Sequence, residues 1–399
     1  MALVRNLARR IAEIAASEEQ ALIHKRWRDV NALRKPDRFP VYCRPIGASL
    51  EIIPEDSLVC TDPWLRGVER SFRQTLHKHD IGDDTPIDPW FPVGVRFDCD
   101  PPNVWGLDIR RHQPGVDGGA WAFDPPLKTE ADLEWLRFPR FSLNERKTHE
   151  ALSQAEDLLG DILSVGLTCE SPVGANIATP ASELRGLAEL LMGVAAEPEL
   201  VHRLMSHILE GTLRAMNQVE ASGMLTPNNR GAMFCSDPIG DPRPDGRYTF
   251  RNLWGHANNQ ELDLISPAMF EEFVLSYQMR ALERYGLSVY GCCENLTHKI
   301  DAVLRIPNLR IFVCSAWTDL DRVIEKVGDR YCIMWRQKAS DVVFPDDVSG
   351  IKRHLDEGVN KLKGCYAQVV LRELQTLSGH PDRLHTWARL AKDAAERYC

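Results

Sequence analysis

Apolar positions recur along this chain in two rhythms. In the opening stretch, MALVRNLARRIAEIAASEEQ, they fall every three to four residues between charged ones, which predicts an amphipathic helix. From residue 36 to about 126 that spacing is lost. The segment is rich in Pro, Asp, Gly and Trp, as in DPWFPVGVRFDCDPP, and predicts irregular structure with a few short strands. Helical spacing returns at EADLEWLRF and again from Asn144 to Leu159.

From Asp161 onward, short apolar runs alternate with helical patterns. DILSVGLTCE predicts a strand, and PASELRGLAELLMGVAAEPELVHRLMSHILEGTLRAMNQVEASG two long helices broken at Glu197-Pro198. GAMFCSD is strand-like, and a loop rich in Asp, Pro and Arg follows it. Ser266 and Pro267 open the next helix, as N-cap and first helical residue. LSVYGCCE, LRIFVCSAW and RYCIMWRQ are strands, each followed by a helix: LTHKIDAVLRI, TDLDRVIEKVG and VSGIKRHLDEGVNKLKG. CYAQVVLREL is a strand or mixed segment, and PDRLHTWARLAKDAAERY closes the chain as a helix. Strand then helix, repeated, is the pattern of an α/β protein with a parallel sheet, and the number of repeats suits a (β/α)8 TIM barrel. The expected organisation is an N-terminal helix and irregular Pro/Trp-rich extension over residues 1–126, packed on a barrel over residues 127–399. No Gly-rich phosphate fingerprint follows any of these strands, so a dinucleotide fold has no support.

Composition narrows the function classes. A net charge of −9 argues against a nucleic-acid binder, which would present a basic face. No apolar run approaches the roughly 20 residues of a membrane span, and the opening residues lack a signal peptide's apolar core and cleavage site. The eleven cysteines are odd in number and scattered, unlike a secreted disulfide scaffold. The expectation is a cytoplasmic protein with reduced thiols, in which Cys169, Cys235, Cys314 and Cys332 are small buried hydrophobes.

In a barrel the C-terminal ends of the strands face the active site. YGCCENLTHKID places Cys292, Cys293 and Glu294 at such an end, with Tyr290 and Asn295 beside them and His298 a little further on. Adjacent cysteines on a regular strand point to opposite faces, so both serve one site only if the strand has turned. Glu294 also suits the dipole at a helix start. Other strand ends carry Glu170, Asp237, Trp317 and Arg336, and the loop with Trp254, His256 and Gln260 would reach the same mouth. Trp254, Gln260, Tyr290, Asn295, Trp317 and Glu170 are candidate substrate contacts, although the tryptophans equally suit a core. Arg336 follows an apolar strand. A buried guanidinium needs an anion, either internal (Asp319 or Glu170) or on the substrate.

From about Arg185 to its end the chain resembles the uroporphyrinogen decarboxylase-like superfamily. The resemblance is carried by ELRGLAELLMGVAAEPELVHRLM, SPAMFEEFVLSYQ, LSVYGCCENLTHKID, IPNLRIFVCSAWTDLDRVIEKVGDRYCIMWRQKASDV and VVLRELQTLSGHPDRLHTWARLA. It implies a distorted (β/α)8 barrel and often a homodimer. The superfamily includes true decarboxylases and zinc-dependent methyltransferases that work with cobalamin. The Arg-Gln-Ala-Gly-Arg-Tyr stretch of the true decarboxylases is not found here. The methyltransferase branch has His-x-Cys at the strand matching LSVY and a second cysteine further on, which implies Cys293 and Cys365 as metal ligands. Gly291 stands at the family's histidine position, leaving Cys292 or Glu294 to complete the set. The resemblance thus implies methyl transfer between a small substrate and a corrinoid; the candidate catalytic groups, Glu294, Arg336 and His256, come from their own places at the expected mouth. No Asp-x-His-x-x-Gly motif occurs, so the corrinoid (cobalamin) would ride on a partner protein. Alternative readings are a metal-independent decarboxylase of a small or aromatic acid, and a non-catalytic thiol-rich binding protein.

Overall fold

The computed structural model of the chain describes residues 1–112 and 122–398. Its centre is a curled parallel sheet of six strands. In chain order these are β1 (Val41–Pro45), β4 (Trp254–Ala257), β5 (Leu287–Tyr290), β6 (Leu309–Cys314), β7 (Cys332–Gln337) and β8 (Tyr366–Leu374). Their spatial order is β1-β8-β7-β6-β5-β4, so the first strand pairs with the last. A separate parallel pair, β2 (Trp90–Gly94) and β3 (Ser164–Thr168), occupies the remaining arc. The residues before 127, expected to pack on the barrel, therefore also supply strands β1 and β2 to it.

The expected barrel is present only in this open form: the six strands and the pair are not joined by a strand ladder. Side chains stitch both seams instead. Between β1 and β2, the Val41 and Cys43 amides donate to the Asp84 and Asp83 carboxylates, each at 2.8 Å. Between β3 and β4, Asn228 imitates a neighbouring strand. Its Oδ1 accepts from the Trp254 amide at 2.8 Å and its Nδ2 donates to the Trp254 carbonyl at 3.0 Å. Thr226 binds Cys169 in the same way on the other side. Prolines stand in both seams (Pro86 and Pro89 in one, Pro227 in the other), and a residue without an amide hydrogen cannot continue a ladder.

Two strand assignments shift. GAMFCSD forms turns rather than a strand, and Asn31 Nδ2 captures its Met233 and Cys235 carbonyls. The barrel strand is Trp254–Ala257, within the stretch expected to be a loop. LTHKIDAVLRI yields only the short helix Ile300–Val303. Elsewhere the pattern holds: Ser266 Oγ accepts from the Met269 amide and caps its helix as expected.

Pleat alternation sorts the strand residues onto two faces. Tyr290, Phe312, Cys314, Ile333, Trp335 and Val369 belong to the outer core under the helices. Trp254, Val289, Ile311, Val313, Met334 and Val370 face inward. The helix α2 (Glu18–Asn31), which follows α1 (Ala2–Ala15), plugs the N-terminal end of this interior with Ile23, Trp27 and Val30. Asn31 ties the plug down, accepting from Gln368 Nε2 at 2.8 Å. With the lower end filled, the interior is left to the C-terminal mouth. No helix among the described residues is long and apolar enough to cross a membrane.

Candidate functional site

The strand β5 ends at Tyr290, and Gly291 makes the turn that presents the thiols. Its φ is 113°, and a Cβ there would lie 2.8 Å from the Val313 Cβ. Both the conformation and the space exclude a side chain. This explains why glycine stands where the resemblance would place histidine. The turn ends the strand's alternation, so Cys292 and Cys293 come together with their sulfurs 3.6 Å apart.

Three groups surround them. Arg336, 2 % exposed, comes from β7 two positions past Met334 on the inward face. Its Nη1 donates to the Cys292 carbonyl at 2.7 Å and to Glu373 Oε1 at 3.1 Å, and lies 3.9 Å from Cys292 Sγ. Glu373, near the end of β8, also accepts from Cys293 Sγ at 3.4 Å. Its φ of 62° is a left-handed conformation that non-glycine residues rarely hold, and strain of this kind clusters at functional sites. His256 reaches in from β4, and its Nε2 lies 3.2 Å from the Gly291 carbonyl.

These contacts set protonation. The hydrogen bond from Cys293, followed by the charge of Arg336, holds the Cys292 thiol down at about 6, while burial works against it. The same hydrogen bond, together with burial and the negative charges of Cys292 and Glu373, pushes Cys293 up. The pair is thus one thiolate and one thiol near neutrality. His256 is pushed down to about 4, chiefly by burial, so its ring is neutral. Because a carbonyl can only accept, Nε2 carries the ring proton and Nδ1 is left as an acceptor. The side chain is walled by protein yet keeps accessible surface, as a residue lining an open mouth does.

Other candidates lie elsewhere. Glu294, 2 % exposed, spends both carboxylate oxygens on the Asn259 and Cys292 amides, each at 2.9 Å. It shapes the turn that carries the thiols and is no free acid or base. Tyr290 points outward and donates to Gln278 Oε1 at 2.8 Å, so it is a core residue and not a substrate contact. Trp254 is inward but lies in the apolar layer below the mouth, its Nε1 on Ser236 Oγ. Asn295 caps its own turn through Thr297, and Gln260 is exposed in the loop after β4. Trp317 is 57 % exposed under Lys338, and Glu170 is exposed beyond β3, accepting from Asn228. Asp319 caps the helix that follows it. The internal partner of Arg336 is therefore Glu373, and neither Asp319 nor Glu170. His298 lies in the turn before its helix.

The largest correction is Cys365. It precedes β8, at the plugged end of the barrel, whereas the thiol pair meets Glu373 at that strand's other end. At about 3.3 Å of rise per residue the separation is about 25 Å, so Cys365 and Cys293 cannot share an ion. Among the described residues, no three His, Cys, Asp or Glu side chains are gathered so as to hold a metal. Where a cation would sit between Cys292 and Glu373, the guanidinium of Arg336 already bridges them. The side chains present do not fit the implied zinc.

Sequence reasoning missed Glu373, and with it Arg372 and Arg44. Arg372 follows Gln368 and Val370 on the inward face of β8. The signal was available: Arg-Glu closes the run CYAQVVLREL just as Arg336 closes RYCIM. The ten described cysteines are all free, and Cys169, Cys235, Cys314 and Cys332 are buried as expected. Cys399 lies outside the described residues.

The fold is similar to that of a methyltransferase from Methanosarcina mazei. That comparison has 13 % sequence identity and a TM-score of 0.54, and covers 93 % of this chain and 98 % of the other. No protein-family model matches the chain, and no curated protein matches it in sequence.

Proposed function

We propose that this chain is a methyltransferase whose transfer chemistry runs at Cys292 and Cys293. The observation that carries the reading is the pair of cysteine sulfurs 3.6 Å apart at the open end of the barrel, held beside a buried arginine. The fold shared with a methyltransferase supports the class. A thiolate is the form of cysteine that attacks carbon. The Cys292 lone pair forms an S–C bond as the bond between the methyl carbon and its donor atom breaks, and that electron pair leaves with the donor. Attack by an acceptor on the same carbon then releases the thiolate again. Arg336 stabilises the anionic sulfur before the first step and as it leaves in the second. Cys293 carries a proton that a departing anion can take, and Nδ1 of His256 can receive one from an acceptor.

Zinc does not fit the side chains present. A corrinoid on a partner protein enters as one class of methyl donor or acceptor, on the resemblance alone. A second reading, decarboxylation of an acid without metal, draws on a different observation: the arginines at the mouth suit a carboxylate. The two readings separate experimentally. Protein incubated with methylcobalamin and a series of thiol and amine acceptors should consume the methyl–cobalt absorbance, and Cys292→Ser should abolish this while melting normally. If wild type and Cys292→Ser are equally inert towards every donor and acceptor, the transfer reading falls. Release of carbon dioxide from an offered acid by both proteins would favour the lyase.

A further inference from the structure

Arg44, Arg336 and Arg372 come from three adjacent strands, β1, β7 and β8, with β8 in the middle. The register sets Arg336 opposite Val370, two residues before Arg372 on the same inward face. On the other side Cys43 pairs with Leu371 and Pro45 with Leu374, so Arg44 lies level with Arg372 and Glu373, at a break in the ladder. Arg44 is exposed at that break, and its charge reaches the Arg372 guanidinium. Like charges placed side by side across strands repel, and a fold does not gather three of them without a counter-charge.

The described residues supply too little. Glu373 makes one ion pair, with Arg336. The Nε atoms of Arg336 and Arg372 are both buried without a hydrogen-bond partner. Neither Arg372 nor Arg44 forms a salt bridge among the described residues, although surface arginines elsewhere in this chain commonly do. The other acidic side chains near these strands are committed. Asp83 holds Lys78 and the Cys43 amide, Asp84 holds Arg26, Arg38 and the Val41 amide, and Glu294 holds two backbone amides. Of the three guanidiniums only that of Arg336 has an ionic partner among the described residues. Guanidinium forks match the geometry of carboxylate and phosphate oxygens.

We propose that Arg372 and Arg44, together with Arg336, form an oxyanion-binding subsite at the barrel mouth, and that the substrate worked on at Cys292 carries a carboxylate or phosphate group. The subsite fixes the acid end of the substrate on β1 and β8 and leaves its reacting end facing the thiols on β5. The inference names the substrate class of the proposed active centre, but its test needs no turnover.

Charge-selective alkylation reads the subsite directly. Full-length protein is treated with iodoacetate or with neutral iodoacetamide, and modification of Cys292 is followed by peptide mass spectrometry. Glutathione serves as the reference thiol. The wild type should favour iodoacetate over the reference by about tenfold, the worth of one charge-assisted contact. Arg372→Gln should lose most of that preference and Arg372→Lys should keep part of it. Arg44→Gln, at an exposed position, gives a second reading should Arg372→Gln fail to fold. Inorganic phosphate and malonate should each slow iodoacetate labelling of the wild type, and the more effective one identifies the preferred acid. A preference no greater than that of glutathione would overturn the subsite. So would a preference unchanged in Arg372→Gln and Arg44→Gln, or labelling indifferent to both anions. If the preference is present but methyl transfer and decarboxylation are both absent, the subsite stands and the proposed function falls.

Discussion

Replacing Arg336 with methionine separates the two jobs assigned to it, holding the turn together and holding the Cys292 proton off. The side chain is 2 % exposed and makes two charge-assisted hydrogen bonds, to the Cys292 carbonyl and to Glu373. Each such bond is worth about 1.5–3 kcal/mol. Glu373 is 35 % exposed and recovers water when its partner goes, so its share must be discounted. Removing the guanidinium also relieves an unpartnered buried Nε and repulsion from Arg372. The net cost should be about 2 kcal/mol, short of the roughly 3–5 kcal/mol lost when a wholly buried pair is broken. The second effect is on the thiol. The Cys293 hydrogen bond contributes most to the lowering of Cys292 and survives the change, while the arginine's contribution is lost. The titration midpoint should therefore rise from about 6 without reaching the ordinary thiol value of about 8.5. A rise of about one unit would cut the thiolate fraction at pH 6 by about fivefold. The assay is the rate of iodoacetamide labelling of Cys292 from pH 4.5 to 9, a neutral reagent so that only the thiolate fraction is read, with urea unfolding alongside. A midpoint in Arg336→Met equal to that of the wild type would refute the electrostatic role of the arginine, whatever happened to stability.

Three further outcomes are expected. Gly291→Ala forces a side chain into a left-handed turn against Val313, and should cost about 1–3 kcal/mol in urea unfolding and slow Cys292 labelling; an unchanged protein would mean the turn is not what gathers the thiols. Asn228→Leu leaves the amide and carbonyl of Trp254 unpaired at the seam beside β4, and should destabilise by about 2–4 kcal/mol; a loss under about 0.5 kcal/mol would show that the seam is not closed by this side chain. Cys365→Ser should leave both the labelling profile of Cys292 and any zinc affinity as in the wild type; loss of bound zinc in this variant would restore Cys365 to the site and refute the strand register described above.

Periodicity alone determined most of the architecture. Repeated strand–helix units, the Ser266 cap and the polar residues closing LSVY and RYCIM are local properties, written within a few residues of where they act. They sufficed to predict a parallel barrel with Cys292, Cys293 and Arg336 at one end. What the sequence left open depended on contacts between distant segments. GAMFCSD has the spacing of a strand, but Pro227 in the seam beside it and the grip of Asn31 on its carbonyls keep it out of the sheet, and Trp254–Ala257 takes the place. Cys365 stands at a plausible distance along the chain from Cys293, but a parallel strand of nine residues carries it to the opposite end of the barrel. Glu373 and Arg372, at the far end of that same strand, meet the thiols instead. Distance along the sequence says nothing about which end of a strand a residue occupies; that is fixed by register, and register by burial of the inward face. The tertiary structure likewise decided that Tyr290 is a core residue, since the strand's pleat turns it outward, and that Glu294 is a clamp, since the turn at Gly291 brings it onto the Asn259 and Cys292 amides.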